Sequence, residues 1–163
     1  MLHSPEPCID ELGVDLFRNY IFKESFLTSK IIDGACKLIG VDRSGVGMDK
    51  EMFREAIDLF HSLLVYTDYF EPRMLEFSQT FVLHWSEQAV AEKSLKDYVA
   101  SCFRLMKSEN HRCTTFKLDS TTQRALMTLI EHFLIERQES FLGKLILYPS
   151  SLKIEAFISD FAC

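Results

Sequence analysis

The sequence predicts an all-α chain, an antiparallel stack of about six helices. Apolar residues recur at three- and four-residue spacings in six successive stretches. Each stretch is bounded by a capping residue, a glycine or a proline, and no period-two stretch of useful length competes with them. Composition agrees: 47% of the 163 residues are hydrophobic and 26% are charged, which is ordinary for a packed domain and too apolar for disorder.

The first stretch sets Ile9, Leu12, Leu16 and Tyr20 on one stripe, widened by Phe17 and Ile21. In the second, Leu27, Ile31, Ala35 and Leu38 fall together, flanked by Ile32 and Ile39, and Gly40 follows at a position suited to ending a helix. Residues 40–48 hold Gly40, Gly45 and Gly47 around Asp42, Arg43 and Ser44 and read as a flexible connection. They lack the Gly-Lys-Ser/Thr ending of a phosphate-binding loop.

Asp49 suits an N-cap, with Met48 and Phe53 as its hydrophobic staple, and the third helix continues through Ala56, Ile57, Phe60, Leu63 and Leu64. After a break at Val65 to Asp68, the fourth carries Phe70, Met74, Phe77, Phe81 and Trp85, with Pro72 in its first turn. Ser94 and Asp97 have capping-box spacing ahead of Leu95, Tyr98, Cys102, Leu105, Met106 and Cys113. Ser120 or Thr121 caps the sixth helix, which presents Leu126, Ile130, Phe133, Leu134, Phe141 and Leu145. Beyond Gly143 and Pro149 the pattern weakens, leaving a short amphipathic turn from Ser151 through Leu152, Ile154, Phe157 and Phe161. Thr115–Leu118 and Leu145–Tyr148 are the two stretches with ambiguous period. The expected organisation is a tail over 1–7, a helical domain over 8–145 and a divergent tail over 146–163.

Charge and cysteine usage narrow the function. The net charge is −6, and no run of Lys and Arg exceeds two residues, which argues against a nucleic-acid partner. No uncharged apolar stretch approaches the 18 residues of a membrane span, so no membrane partner is expected. Cys8, Cys36, Cys102, Cys113 and Cys163 are odd in number and never spaced Cys-x-x-Cys. Without a signal peptide they read as reduced thiols of a cytoplasmic or nuclear protein.

No catalytic, cofactor-binding or metal-binding residue is expected from the sequence. His3, His61, His84, His111 and His132 form no His-Glu-x-x-His arrangement. His111 and Cys113 make a His-x-Cys pair without the second pair a zinc site needs. No Gly-x-Ser-x-Gly elbow is present. Asp10 with Glu11, and Glu51 with Glu55, lie on polar faces where solvated charge is the ordinary outcome. The expectation is therefore a protein that is not an enzyme and needs no cofactor.

Six short strings, in order and spacing, resemble the N-terminal helical-repeat region of the cullin family, and within it the second repeat of the cullin-4 branch. They are Glu11–Arg18; Ser29–Gly34 with Leu38-Ile39; Asp42–Gly45 with Met48-Asp49; Tyr66–Glu71 with Leu75-Glu76; Lys96–Val99; and Leu118–Gln123. The likeness runs from about residue 9 to 142. It lapses at Val82–Glu87 and Leu105–Asn110, and from Gly143 onward nothing matches.

The resemblance implies a non-catalytic scaffold segment of cullin-RING ubiquitin ligase complexes, associated with ubiquitin-dependent protein catabolism. It implies ligase components or neighbouring helical repeats as partners, and exposed repeat ends that permit self-association. The family's adaptor-gripping first repeat would precede this stretch, and its RING-binding and NEDD8-accepting region would follow, so no residue here inherits either role and the chain reads as truncated. A stand-alone helical binding module with an unrelated partner, or a cullin fragment without function, are the alternatives.

Overall fold

A computed structural model describes residues 9–20, 25–138 and 143. Among them are six α-helices and no strand: α1 (Ile9–Tyr20), α2 (Ser25–Arg43), α3 (Lys50–Ser62), α4 (Glu71–Glu92), α5 (Leu95–Thr115) and α6 (Ser120–Leu134). A π turn, Tyr66–Phe70, runs directly into α4, and a 3-10 turn, Glu136–Gln138, follows α6. Phe141, Leu145 and the turn expected after Ser151 lie outside the described residues.

Local signals in the sequence set several helix ends. Asp49 caps α3, its carboxylate accepting from the backbone N–H groups of Glu51 and Met52 at 3.0 Å each. Met48 and Phe53 join the same apolar core, as a staple requires. Ser94 caps α5 by accepting from Asp97 N–H, while its hydroxyl donates back to the Asp97 carboxylate at 2.6 Å. Pro72 sits in the first turn of α4, where its missing N–H leaves no bond unmade.

Other boundaries differ from the sequence reading. Helix α2 does not stop at Gly40 but continues to Arg43, and Gly45, at φ 78°, is the left-handed residue that ends it. The extra turn carries Arg43 to a buried carboxylate on α5, an attraction no local signal encodes. The break before α4 is also shorter, because residues 66–70 are helical. Asp119, rather than Ser120 or Thr121, occupies the cap of α6, and its carboxylate lies 3.4 Å from His61 instead of bonding the helix end.

Two apolar cores share the α4 axis. The first gathers Ile32, Cys36 and Ile39 of α2, Phe53, Ile57 and Phe60 of α3, Tyr66 and Phe70 of the π turn, Met74, and Phe116 from the end of α5. The second gathers Val82 and Ala89 of α4, Tyr98, Cys102 and Cys113 of α5, and Leu126, Ile130, Phe133 and Leu134 of α6. Leu75 and Leu118 pack against both.

Pairings along the helices fix their directions. Asp33 meets Arg73 and Arg43 meets Ser78, so α2 and α4 run the same way. Tyr98 bonds Leu134 while Asn110 bonds Gln123, so α5 and α6 are antiparallel. Thr122 bonds Glu71, which returns α6 alongside α4.

The faces turned inward are shifted from those the periodicity favoured. On α4 the fully buried positions are Met74, Ser78, Val82, Ser86 and Ala89, with Phe77, Phe81 and Trp85 only half-buried on the flanks. The rings cover the sides of α4 while this narrower row faces the core. On α2 the core face is Thr28, Ile32, Ala35, Cys36 and Ile39, leaving Leu27 and Ile31 exposed. Leu64, placed in the third stripe, is 71% exposed because it turns left-handed at φ 56° just past α3. Most altered is α1, whose Leu12, Leu16, Phe17 and Tyr20 are all exposed, while Val14 is the residue that packs on the first core.

Candidate functional site

Among the described residues, the groups that carry chemistry in other proteins are dispersed. His61 stacks on Tyr66, ring centroids 4.0 Å apart. His132 contacts Glu136 at 2.6 Å, His111 lies 3.3 Å from the Thr115 hydroxyl, and His84 is exposed. His111 sits in solvent while Cys113 is buried, so the two residues of the His-x-Cys pair face apart. Among the described residues no cluster of His, Cys, Asp and Glu has metal-binding geometry. Glu51 pairs with Arg54 at 2.6 Å, on the surface as expected. His3, Cys8 and Cys163 lie outside the described residues.

Cys36, Cys102 and Cys113 are all buried, and desolvation pushes their thiols up to about 12, 11 and 11 respectively. Such cysteines are core residues with suppressed nucleophilicity. Two grooves on the surface of the described residues are open and shallow. One is lined by Trp85, Lys93, Ser101, Arg104 and Leu105, and the other includes Arg124, Thr128, His132 and Phe133.

A charged cluster inside the stack joins three helices. The Arg43 guanidinium donates to both oxygens of Glu109, at 3.1 and 2.8 Å, and to the Ser78 hydroxyl at 2.8 Å. Its plane also lies over the Phe81 ring, 4.4 Å from the centroid. Arg112 donates to Glu109 and, at 2.7 Å, to Asp42. Two cations and two anions thus neutralise one another where α2, α4 and α5 meet, and among the described residues no buried side-chain N or O lacks a hydrogen bond. Sequence reasoning missed this cluster: Arg43 and Glu109 are 66 positions apart, and Asp42 and Arg43 read as linker.

A second node ties the base of α6 to α4. Buried Tyr66 donates to Thr122 at 3.0 Å and accepts from Asp119 N–H at 3.1 Å, and Thr122 donates to Glu71 at 2.9 Å. At the far end, the Tyr98 hydroxyl donates to the Leu134 carbonyl at 2.8 Å. Both nodes hold helices at fixed offsets.

The surface that stands out is apolar. Leu12, Leu16 and Tyr20, at four-residue spacing, line one face of α1, with Tyr20 74% exposed. Phe26, Leu27 and Ile31, in the first part of α2, are exposed as well. A stripe of exposed large apolar side chains on one helix face is the kind of surface that favours association.

Stacked helices, internal polar ties that set their offsets, and an apolar face on the first helix define a helical-repeat protein. A sequence model described as the cullin alpha solenoid domain matches residues 3–152, and the chain belongs to the cullin family. It is 31% identical to Cullin-4A of Mus musculus over 133 residues, which is 82% of this chain and 17% of that protein. It is 25% identical to Cullin-4 of Dictyostelium discoideum over 127 residues, 78% of this chain and 16% of that one. Likeness also extends to Cullin-like protein 3 of Arabidopsis thaliana, 27% identical over 122 residues, 72% of this chain and 47% of the relative. The chain thus spans about one sixth of the Cullin-4 relatives it matches.

Proposed function

We propose that this chain is a non-catalytic, cullin-like scaffold segment that takes part in ubiquitin ligase complexes and so in ubiquitin-dependent protein catabolism, in the cytoplasm or nucleus. The observation that carries the reading is the family match over nearly the whole chain, joined to an interior tied by Arg43–Glu109, Tyr66–Thr122 and Tyr98–Leu134. Such cross-helix bonds resist sliding of one helix past another, and a spacer acts through its length and stiffness. Helical domain 8–145 is the working unit, and its partners are ligase components or adjoining helical repeats. No residue in it is assigned an adaptor-gripping, RING-binding or NEDD8-accepting role. Affinity capture of the tagged chain from cells, with quantitative mass spectrometry, is expected to enrich ligase subunits over a Leu16→Asp, Tyr20→Asp control. Recovery of no ligase subunit above an untagged background rejects participation, and equal enrichment by both chains rejects the α1 face as the contact.

A second reading is favoured by the exposed apolar face of α1. A chain presenting Leu12, Leu16 and Tyr20 to solvent self-associates through that face when no other repeat covers it. Light scattering after size-exclusion chromatography then shows a dimer that the same double substitution converts to monomer. A monomer at all concentrations removes this reading.

A further inference from the structure

We propose that Arg18 is a latch that mounts α1 on the rest of the stack, by occupying two backbone carbonyls that the end of α3 leaves without partners. The turn closing α3 uses the carbonyls of Leu59, Phe60 and His61, which accept from the N–H groups of Leu63, Val65 and Leu64. The next turn begins on the Val65 carbonyl, which accepts from Tyr69 and Phe70. Between the two, the oxygens of Ser62 and Leu63 face α1. Arg18 donates its Nε–H to Leu63 O at 2.8 Å and an Nη2–H to Ser62 O at 2.9 Å.

Three features make this more than a chance surface contact. The guanidinium is held in place from its own helix, where Nη1 donates to Asp15 at 2.8 Å. The acceptors sit at a helix C-terminus, whose partial negative charge favours a cation. The carbonyls are presented by a left-handed turn at Leu64, an uncommon conformation for a branched residue, so the receiving geometry is itself specified.

Val14, one turn before Arg18, packs on the first core, so both anchoring residues share one side of α1. Leu12, Leu16 and Tyr20 lie on another side and are exposed. The latch therefore fixes the pose in which α1 presents its apolar face. This holds whatever that face binds, and needs no partner for its test.

Native-state hydrogen exchange with mass spectrometry on the full chain reads the latch directly. In Arg18→Ala, peptides from residues 9–20 are expected to exchange at least about tenfold faster, the ratio set by 1.4 kcal/mol, with α4–α6 unchanged. Arg18→Lys keeps the charge but loses the fork, and falls between the two. Unchanged protection of α1 in both variants, a uniform rise across all helices, or an α1 already unprotected in the wild type would each overturn the proposal.

Discussion

Arg43 and Glu109 meet in a two-point ion pair at the junction of α2, α4 and α5, their side chains 5% and 1% exposed. Burial of both charges sets how the pair responds to mutation. In a low-dielectric interior neither charge has water to fall back on, and losing one partner strands the other. Glu109→Ala leaves Arg43 without a carboxylate partner, while Arg112 keeps Asp42. Urea denaturation is expected to show a loss of about 3–5 kcal/mol. Glu51→Ala, which breaks the solvent-facing pair with Arg54, has little measurable effect. Equal losses at the two sites would contradict the role assigned to burial.

Stability falls on the alkaline side of neutrality. Burial raises the thiols of Cys36, Cys102 and Cys113 from an ordinary 9.0 to about 12, 11 and 11. It raises the phenol of Tyr66 as well, desolvation outweighing the hydrogen bonds that act in the opposite direction. Each group is neutral when protonated, so above pH 9 the unfolded chain releases protons the folded chain retains, and unfolding is favoured as pH climbs. The urea midpoint is expected to be level from pH 6 to 8 and to drop between about pH 9 and 11. Replacing Cys36 by Ala flattens that drop; an unchanged alkaline limb would show that another group sets it.

Two non-glycine residues sit in the left-handed region just past helix ends: Leu64 at φ 56° and Lys117 at φ 54°. Both close the same kind of turn, with Val65 N–H bonded to Phe60 O and Leu118 N–H to Cys113 O. A side chain there costs about 1 kcal/mol relative to glycine. Lys117→Gly is expected to raise the melting temperature by a few degrees, and Leu64→Gly to do the same while removing an exposed leucine. A lower melting temperature for Lys117→Gly would mean that its long side chain packs to advantage.

Tyr98→Phe deletes the hydroxyl that holds α5 to the last carbonyl of α6 and leaves the Leu134 oxygen buried without that donor. The expected cost is about 1–3 kcal/mol by chemical denaturation. Faster amide exchange is expected first at residues 130–138. Exchange that stays unchanged there would show that the apolar packing of Leu134 alone holds the end of α6.

Much of the fold was legible in the sequence because its signals are local. Asp49, Pro72 and the Ser94–Asp97 pair act within one helical turn, so reading them required no knowledge of the remaining chain. The end of α2 is not legible in the same way, because Gly40 permits a stop without requiring one and the pull that carries the helix on to Arg43 comes from Glu109. Asp119 gives no local sign of its place at the start of α6, because its partners are His61 and Tyr66, more than fifty positions away.

Periodicity by itself determined that six helices exist and that each has an apolar side. What covers each side was decided by tertiary structure. Spacing of Leu12, Leu16 and Tyr20 is the same whether a helix is buried or waiting for a neighbour, and only the packed arrangement turns Val14 and Arg18 inward and leaves that stripe in solvent. The charged tie of Arg43, Glu109, Arg112 and Asp42 is likewise absent from any local window. Its attraction depends on distance in space and on exclusion of water, and both come into being once the helices pack.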